Sequence, residues 1–194
     1  MPVRRIDGTI DIETARSLRS GDQVLYTGRV YTARDAAHAR LVELLDAGKP
    51  LPFDAEGAIV YYAGPAPAKP GQPIGSVGPT TSYRMDPYAP RLLDAGLRAM
   101  IGKGMRSKEV IDAIMRNSAV YFAAVGGAAA LIAKSVQSAE LVCYEDLGTE
   151  AIRLLTVQDM PLTVAIDCRG GNIYESGPAA YLANLAVNSP SNLQ

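Results

Sequence analysis

Short apolar segments alternate with helical patterns along this chain, and this alternation limits its fold more than any other feature. Patterns typical of strands, or of a hairpin in the first case, occupy residues 23–31, 58–62, 74–77, 97–101, 120–125, 140–144, 151–157 and 162–167. Helical spacing occupies residues 36–45, 87–95, 107–116 and 128–134. A hairpin-like turn at residues 169–172 is predicted to lead into an extended segment at 173–175. We therefore predict a mixed α/β fold with a central sheet flanked by helices.

Length and charge narrow the class of protein. The 194 residues suffice to bury a core, and we predict one domain over residues 1–194 with a polar tail near 188–194. The 19 basic and 20 acidic residues include no long basic run, so nucleic-acid binding is not expected. No stretch reaches the roughly 20 apolar residues of a membrane span, and the first residues lack the apolar core of a signal peptide. The prediction is a soluble, cytoplasmic protein without a membrane partner.

The two cysteines, Cys143 and Cys168, are too few for a disulfide scaffold or for a complete cluster held by cysteines, and neither lies in a CxxC pair. We expect two structural thiols in a reducing cytosol. The chain is therefore predicted to bind no metal of its own.

The most unusual local sequence is residues 76–86 (SVGPTTSYRMD). Here a predicted strand ends in Gly-Pro, and three hydroxyl residues in a row, beginning with Thr80 and Thr81, precede Arg84. Such groups favour an anion site, because α/β sheets bind ligands at the carboxyl ends of their strands. The alternative is structural: the hydroxyls cap the helix that follows, and Arg84 pairs with Asp86.

Two further motifs carry charge. In residues 102–104 (GKG), the glycines let the backbone approach a ligand and leave the Lys103 ammonium accessible, although many surface turns share this sequence. In residues 34–38 (RDAAH), Arg34 and His38 are four residues apart and share one face at a helix start. A packed or surface role is the simpler interpretation of a single histidine.

Together these motifs supply two guanidinium groups, an ammonium and several hydroxyls, which suit a small dicarboxylate or hydroxy acid. Dehydration of such a substrate also needs an electrophile that takes up hydroxide. This chain lacks the ligands to hold a metal for that purpose, so we expect a partner to supply it.

Five motifs together resemble a known family: residues 34–38 (RDAAH), 78–86 (GPTTSYRMD), 100–104 (MIGKG), 125–130 (VGGAAA) and 144–151 (YEDLGTEA). In this order they resemble the β subunit, or C-terminal domain, of class I fumarases and of the related tartrate dehydratases. The resemblance runs from about Ile10 to Gly177. The ordered set is far more specific than any one of its motifs.

The resemblance implies a swivelling β/β/α-type domain that closes on a second domain, or on an α subunit in a hetero-oligomer, with substrate between them. By this resemblance, the partner is expected to hold a 4Fe-4S cluster in which one iron, without a protein thiolate, binds substrate as a Lewis acid. Carried over by motif, Thr80 is the base that exchanges a proton at the carbon next to the hydroxyl-bearing one. Arg34, Thr81, Arg84 and Lys103 bind the substrate.

A threonine hydroxyl is a poor base at neutral pH, so Thr80 needs a carboxylate or cation beside it. Asp86 is the candidate in this chain, with His38 as a further supporting residue, and the alternative is a group on the partner. The family pattern most often has a small residue where Tyr83 stands, which bears on the substrate rather than on the reaction type.

The leading prediction is reversible hydration of fumarate to (S)-malate, active only with the α subunit. Residues 84–86 and 144–148 resemble the fumarase branch more than the tartrate branch. Dehydration of L-tartrate and hydration of mesaconate are alternatives within the family. A dicarboxylate-binding module without catalysis is the alternative from another class.

Overall fold

The computed structural model describes residues 2–124 and 129–187, leaving aside the side chains at 179–180 and 183–187. Seven strands in these ranges form one mixed sheet: β1 (Arg4–Asp7), β2 (Gln23–Thr32), β3 (Ile59–Tyr61), β4 (Ala99–Gly102), β5 (Val120–Ala123), β6 (Val136–Cys143) and β7 (Ile152–Ile166). Strands β1 to β5 are parallel neighbours in chain order, and β7 is antiparallel to β2, β5 and β6. Because β7 pairs with both β2 and β5, these five strands β2, β3, β4, β5 and β7 close into a barrel.

The strand that closes the barrel, β7, is 15 residues long and pairs with different strands along its length. Its first half lies between β2 and β6, whereas Thr163 in its second half pairs with Gln23 of β2 and Ala123 of β5. The extended structure predicted at 151–157 and 162–167 is therefore confirmed, and the two segments belong to one strand. Asp159, with a φ of 50°, interrupts the extended backbone between them, yet pairing with β2 continues on both sides.

Six α-helices in the described ranges accompany the sheet: α1 (Ile12–Ser17), α2 (Asp35–Asp46), α3 (Ala89–Asp94), α4 (Lys108–Arg116), α5 (Ala129–Ser135) and α6 (Ile173–Val187). Two short 3-10 helices lie at Ser82–Met85 and Glu145–Glu150. The predicted helices at 36–45 and 107–116 are confirmed by α2 and α4. Ser107 caps α4, since its hydroxyl accepts a hydrogen bond from the Val110 amide. Gly48 follows α2 with a left-handed φ of 63°, which ends the helix as predicted.

Alternate residues of the parallel strands face two different cores. In β3, Ile59 and Tyr61 belong to one hydrophobic cluster, and Val60 belongs with Tyr62 to the other. The second cluster contains the buried hydrophobic residues of α2, α3 and α4, so it lies between the sheet and these helices. Both strand faces are covered, which explains why these strands are continuous apolar runs in the sequence.

Two predicted extended segments have another structure. Residues 74–77 form no strand, because Gly75 donates to the carbonyl of Ala66 in the same loop and Val77 donates to that of Ala129 in α5. Residues 173–175 begin α6. Asn172 starts this helix: its Oδ1 accepts from the Tyr174 amide at 3.1 Å and its Nδ2 donates to Glu175 Oε1 at 2.9 Å. These reciprocal contacts resemble a capping box, which favours a helix over a strand.

The predicted mixed α/β fold, with a central mixed sheet flanked by helices, is confirmed. The end of the strand predicted at 120–125, the start of the helix predicted at 128–134 and the tail at 188–194 lie outside the described residues. One domain over residues 1–194 stays a prediction. Among residues 2–124 and 129–187, no helix combines the length and apolarity that crossing a membrane requires.

Candidate functional site

Three candidate segments meet at one edge of the barrel. Strands β2, β3 and β4 are parallel neighbours, so their carboxyl ends lie on the same side. Arg34 follows β2, and Lys103 follows β4. Residues 77–81 reach the end of β3 from farther along the chain. The edge therefore carries the chemical groups that the sequence motifs predicted.

Thr80 is tied to the end of β3 by contacts on both sides of Gly78 and Pro79. The Tyr61 hydroxyl donates to the Val77 carbonyl at 2.8 Å, and the Thr80 amide donates to the Tyr62 carbonyl at 2.6 Å. Thr80 itself is half-buried. Its backbone is consequently fixed relative to the sheet.

The next residues join the hydroxyl run to the turn after β4. Thr81 pairs with Lys103 in a short parallel bridge, the Ser82 amide donates to the Lys103 carbonyl at 2.9 Å, and the Lys103 amide donates to Ser82 Oγ at 3.1 Å. The Tyr121 hydroxyl lies 2.8 Å from Ser82 Oγ and donates to the Gly104 carbonyl at 2.9 Å. Burial raises the pKa of Tyr121 far above its usual range, so it remains a neutral donor.

Glycine is favoured on each side of Lys103, at Gly102 and Gly104, for a different physical reason. A Cβ at Gly102 would lie 2.0 Å from Ser82 Oγ and 2.9 Å from Tyr62 Cδ2, so a side chain there would push the hydroxyl run away. Gly104 has a left-handed φ of 86°, which favours glycine. Lys103 thus belongs to an extension of the sheet rather than to a simple surface turn.

Four side chains of alternating charge cross the beginning of α2. Arg84 Nη2 donates to Asp35 Oδ2, and Arg34 Nε lies 3.8 Å from the other oxygen, Asp35 Oδ1. Arg34 Nη2 lies 3.3 Å from Glu150 Oε1, and Glu150 Oε2 accepts a hydrogen bond from the Ala36 amide at 3.2 Å. Both predicted guanidinium groups therefore face carboxylates of their own chain.

The alternative that Arg84 pairs with Asp86 is wrong, because Asp86 uses both oxygens elsewhere. Its Oδ1 accepts from Arg106 Nε and its Oδ2 from the Ser107 amide, each at 2.7 Å. The Arg106 side chain is fully buried and lies over the Tyr62 ring, 5.2 Å from the centroid. Asp86 thereby anchors the end of the hydroxyl segment to the start of α4. Its support of Thr80 stays a prediction.

His38 is completely buried beneath this edge. Its Nδ1 lies 2.8 Å from the Arg34 carbonyl, and its ring meets the Tyr62 ring edge-on at 5.2 Å. Burial lowers the pKa of His38 to about 4, so the ring is neutral at pH 7. Its Nε2 makes no hydrogen bond within the described chain. The residue supports the backbone of Arg34, and a catalytic contribution stays a prediction.

Comparison with known proteins identifies the family of this chain. Residues 4–177 match the family described as Fumarase C-terminus. The chain belongs to this family. The resemblance inferred from the five motifs is thereby confirmed.

Relatives of this family member are of two kinds. Fumarate hydratase class I, anaerobic, of Escherichia coli K12 is 42% identical over 151 residues, which cover 77% of this chain but 28% of that protein. Fumarate hydratase 1, mitochondrial, of Leishmania major is 41% identical with the same coverage. A Methanocaldococcus jannaschii chain, named provisionally as L(+)-tartrate dehydratase subunit beta, is 40% identical over 166 residues, or 82% of this chain and 85% of that one. The chain thus spans under a third of these two fumarate hydratases and most of the archaeal subunit.

Two predicted binding groups of this fumarase C-terminus member, Lys103 and Arg84, lie on an open surface, whereas the Arg34 side chain is 21% exposed. Lys103 is exposed, the Arg84 side chain is 42% exposed, and the neighbouring Tyr83 and Met105 are 66% and 61% exposed. A cavity of about 590 Å³ is lined instead by the proline-rich loop at 66–76 and by α5. The chain therefore presents Lys103 and Arg84 outward rather than enclosing them.

The donor set does not fit a metal cluster in this chain. An iron–sulfur cluster needs several thiolates, and the sequence has two cysteines and one histidine. Cys143 lies in β6 and Cys168 follows β7, and both are free thiols. In the described ranges, no three His, Cys, Asp or Glu side chains come together in a group that could hold a metal ion.

Several residues of this edge were not singled out from the sequence: Asp35, Ser82, Arg106, Tyr121 and Glu150. Asp35, Ser82 and Glu150 lie inside the quoted motifs, and membership of a motif is the signal in the sequence that indicates them. Arg106 and Tyr121 act through contacts with distant segments, and no local pattern indicates them.

Proposed function

We propose that this chain is the β subunit of an iron–sulfur hydro-lyase that hydrates fumarate reversibly to (S)-malate together with an α subunit. The observation that carries the proposal is that the segments bearing Arg34, Thr80, Arg84 and Lys103 meet at one barrel edge, in a chain of the fumarase C-terminus family. Two guanidiniums and an ammonium match the two carboxylates of a small diacid.

In this proposal Thr80 exchanges the proton at the carbon next to the hydroxyl-bearing one, while Arg34, Thr81, Arg84 and Lys103 bind the carboxylates. The fixed Thr80 backbone supports this role, because proton transfer requires a stable position relative to the bound carbon. Since the Asp86 oxygens are engaged by Arg106 and Ser107, we propose that the group activating Thr80 lies on the partner.

The partner is proposed to be an α subunit that carries a 4Fe-4S cluster, because the donors for one are lacking here. The exposure of Lys103, Arg84 and Tyr83 supports this assignment, since a hydro-lyase site must exclude bulk water and this chain does not cover the groups. The archaeal relative, a separate subunit by name, matches this chain over most of both lengths. A hetero-oligomer follows from the proposal, and the cytoplasmic location stays a prediction.

Dehydration of L-tartrate is the second candidate, and it is favoured by the name of that archaeal relative. Fumarate ranks first because residues 84–86 and 144–148 resemble the fumarase branch, and because the two fumarate hydratases named above match at 42% and 41% identity against 40% for the archaeal subunit. Tyr83, which is exposed beside Arg84, is the residue of this chain that we expect to influence the choice, together with the partner's contribution.

The test is to combine the chain with a cluster-bearing partner, reconstitute the complex anaerobically and follow fumarate absorbance. Thr80→Ala should lower kcat by at least about 100-fold. Arg84→Ala should raise KM by about tenfold or more, since a charge-assisted contact is lost. Thr9→Ala and Arg5→Ala are matched controls, because both residues are exposed and lie well before the first motif along the chain. The isolated chain should be inactive.

Fumarate, L-tartrate and mesaconate are compared in the same complex by kcat/KM. Wild-type kinetics in Thr80→Ala would rule out its catalytic role. A complete complex that binds a dicarboxylate, measured by calorimetry, but turns over none of the three compounds would favour the binding module instead.

A further inference from the structure

Asp35 lies between the two guanidinium groups of the site. It is the first residue of α2, and its side chain is 29% exposed. Its Oδ2 accepts from Arg84 Nη2, while its Oδ1 faces Arg34 Nε at 3.8 Å. Arg34 and Arg84 are 50 positions apart in sequence and would repel each other at close range. A carboxylate between them removes that repulsion and sets their separation.

The contact with Arg84 leaves most of that guanidinium accessible. Arginine has several N–H donors arranged in a fixed plane, and among the described residues only Nη2 has a side-chain acceptor. The remaining edge belongs to a side chain that is 42% exposed. Asp35 can therefore orient Arg84 from behind while the other edge receives a ligand carboxylate.

Asp35 and Arg34 lie close together but form no side-chain hydrogen bond with each other. Asp35 Oδ1 and Arg34 Nε are both buried, and neither has a hydrogen-bond partner in the described chain. Glu150 holds the other end of the same guanidinium at 3.3 Å. A shift of about 1 Å would bring the two orphan atoms to hydrogen-bond distance and satisfy both.

We propose that Asp35 is a positioning residue that sets Arg34 and Arg84 for the two carboxylates of a diacid substrate. The inference rests on the proposed function and adds a residue to its site. Two effects of removing the charge have opposite signs. Losing a negative charge near a dianion should strengthen binding, whereas losing the orientation of two guanidiniums should weaken it. We expect orientation to dominate, because Asp35 contacts the guanidiniums directly.

The test measures KM and kcat of the assembled, reconstituted complex with Asp35→Asn, which keeps the shape and removes the charge. KM for the diacid should rise at least about tenfold, with a smaller change in kcat, because the arginines bind substrate and transition state alike. Asp35→Glu should recover part of the loss. Asp46→Asn is the matched control, since Asp46 ends the same helix in an exposed pair with Arg91. Its KM should stay at the wild-type value.

A double-mutant cycle tests whether Asp35 acts through Arg84, and Asp35→Glu takes the place of Asp35→Asn in both arms if Asp35→Asn folds poorly. If Asp35 acts largely through Arg84, adding Asp35→Asn to Arg84→Ala should change KM by much less than in the wild-type background. Fully additive effects, or an unchanged or lower KM in Asp35→Asn, would overturn the inference while an active wild-type complex leaves the proposed function standing. An inactive wild-type complex would refute the proposed function and this inference with it.

Discussion

Protonation of His38 should destabilise the folded chain as the pH falls. The ring is completely buried, and its Nδ1 contacts the Arg34 carbonyl, an acceptor that leaves Nε2 as the site of the added proton. Nε2 has no hydrogen-bond partner among the described residues, so a proton there would be buried without an acceptor. The cost of that buried charge is what lowers the pKa to about 4.

The magnitude follows from the difference between the folded and unfolded states. The pKa of His38 is about 4 in the fold against 6.5 for the free group, a difference worth roughly 3 kcal/mol in total. The unfolded chain binds the proton more tightly, so the free energy of unfolding is complete above pH 6.5 and declines as the pH falls towards 4. Between pH 7 and pH 5 the expected loss is about 2 kcal/mol.

Urea unfolding, followed by circular dichroism at several pH values between 5 and 7, measures this loss. His38 is the single histidine, and the pKa values of Asp94 and Asp146 are lowered by Arg116 and Arg40, so these carboxyls titrate below the window. His38→Asn keeps a donor for the Arg34 carbonyl and should unfold with the same free energy at both pH values. A wild-type curve that is flat over this window, or an equal slope in His38→Asn, would refute the reasoning.

Two further substitutions probe how the site is held. Asp86→Ala would leave the buried Arg106 guanidinium without its carboxylate and should lower the free energy of unfolding by about 3 to 5 kcal/mol, whereas Asp94→Ala, in an exposed pair, should cost below about 1 kcal/mol in the same urea titration. Gly102→Ala would place a Cβ 2.0 Å from Ser82 Oγ and should lower the free energy of unfolding by about 1 to 3 kcal/mol. Adding Ser82→Ala should recover part of this loss. A wild-type unfolding midpoint in Gly102→Ala would contradict the close approach.

Local signals were sufficient for several elements. Ser107 marks the beginning of α4 and Gly48 the end of α2, because a cap or a left-handed turn depends on atoms within a few residues. A local signal also marks the start of α6, since Asn172 and Glu175 have the spacing of a capping box. The turn at residues 169–172, just before this helix, has a sequence that is also typical of a hairpin.

Other features could not be predicted from local patterns. The closure of the barrel depends on β7 pairing with β2, strands that are more than a hundred residues apart in sequence. Asp159 lies between the two extended segments of β7. Pairing with the neighbouring strand β2 continues on both sides of Asp159 and shows that the two segments form one strand. Such pairings depend on long-range contacts that alternation within a segment does not encode.

The sequence by itself determined the fold class, the family and the kinds of chemical group at the site, because these follow from apolar periodicity and from short ordered motifs. Only the tertiary structure decided which charges meet. Asp86 is two residues from Arg84 yet pairs with the buried Arg106, and Arg84 reaches Asp35 on another helix. Ion pairs form between the groups that the fold brings within a few ångströms, and distance along the chain does not determine that approach.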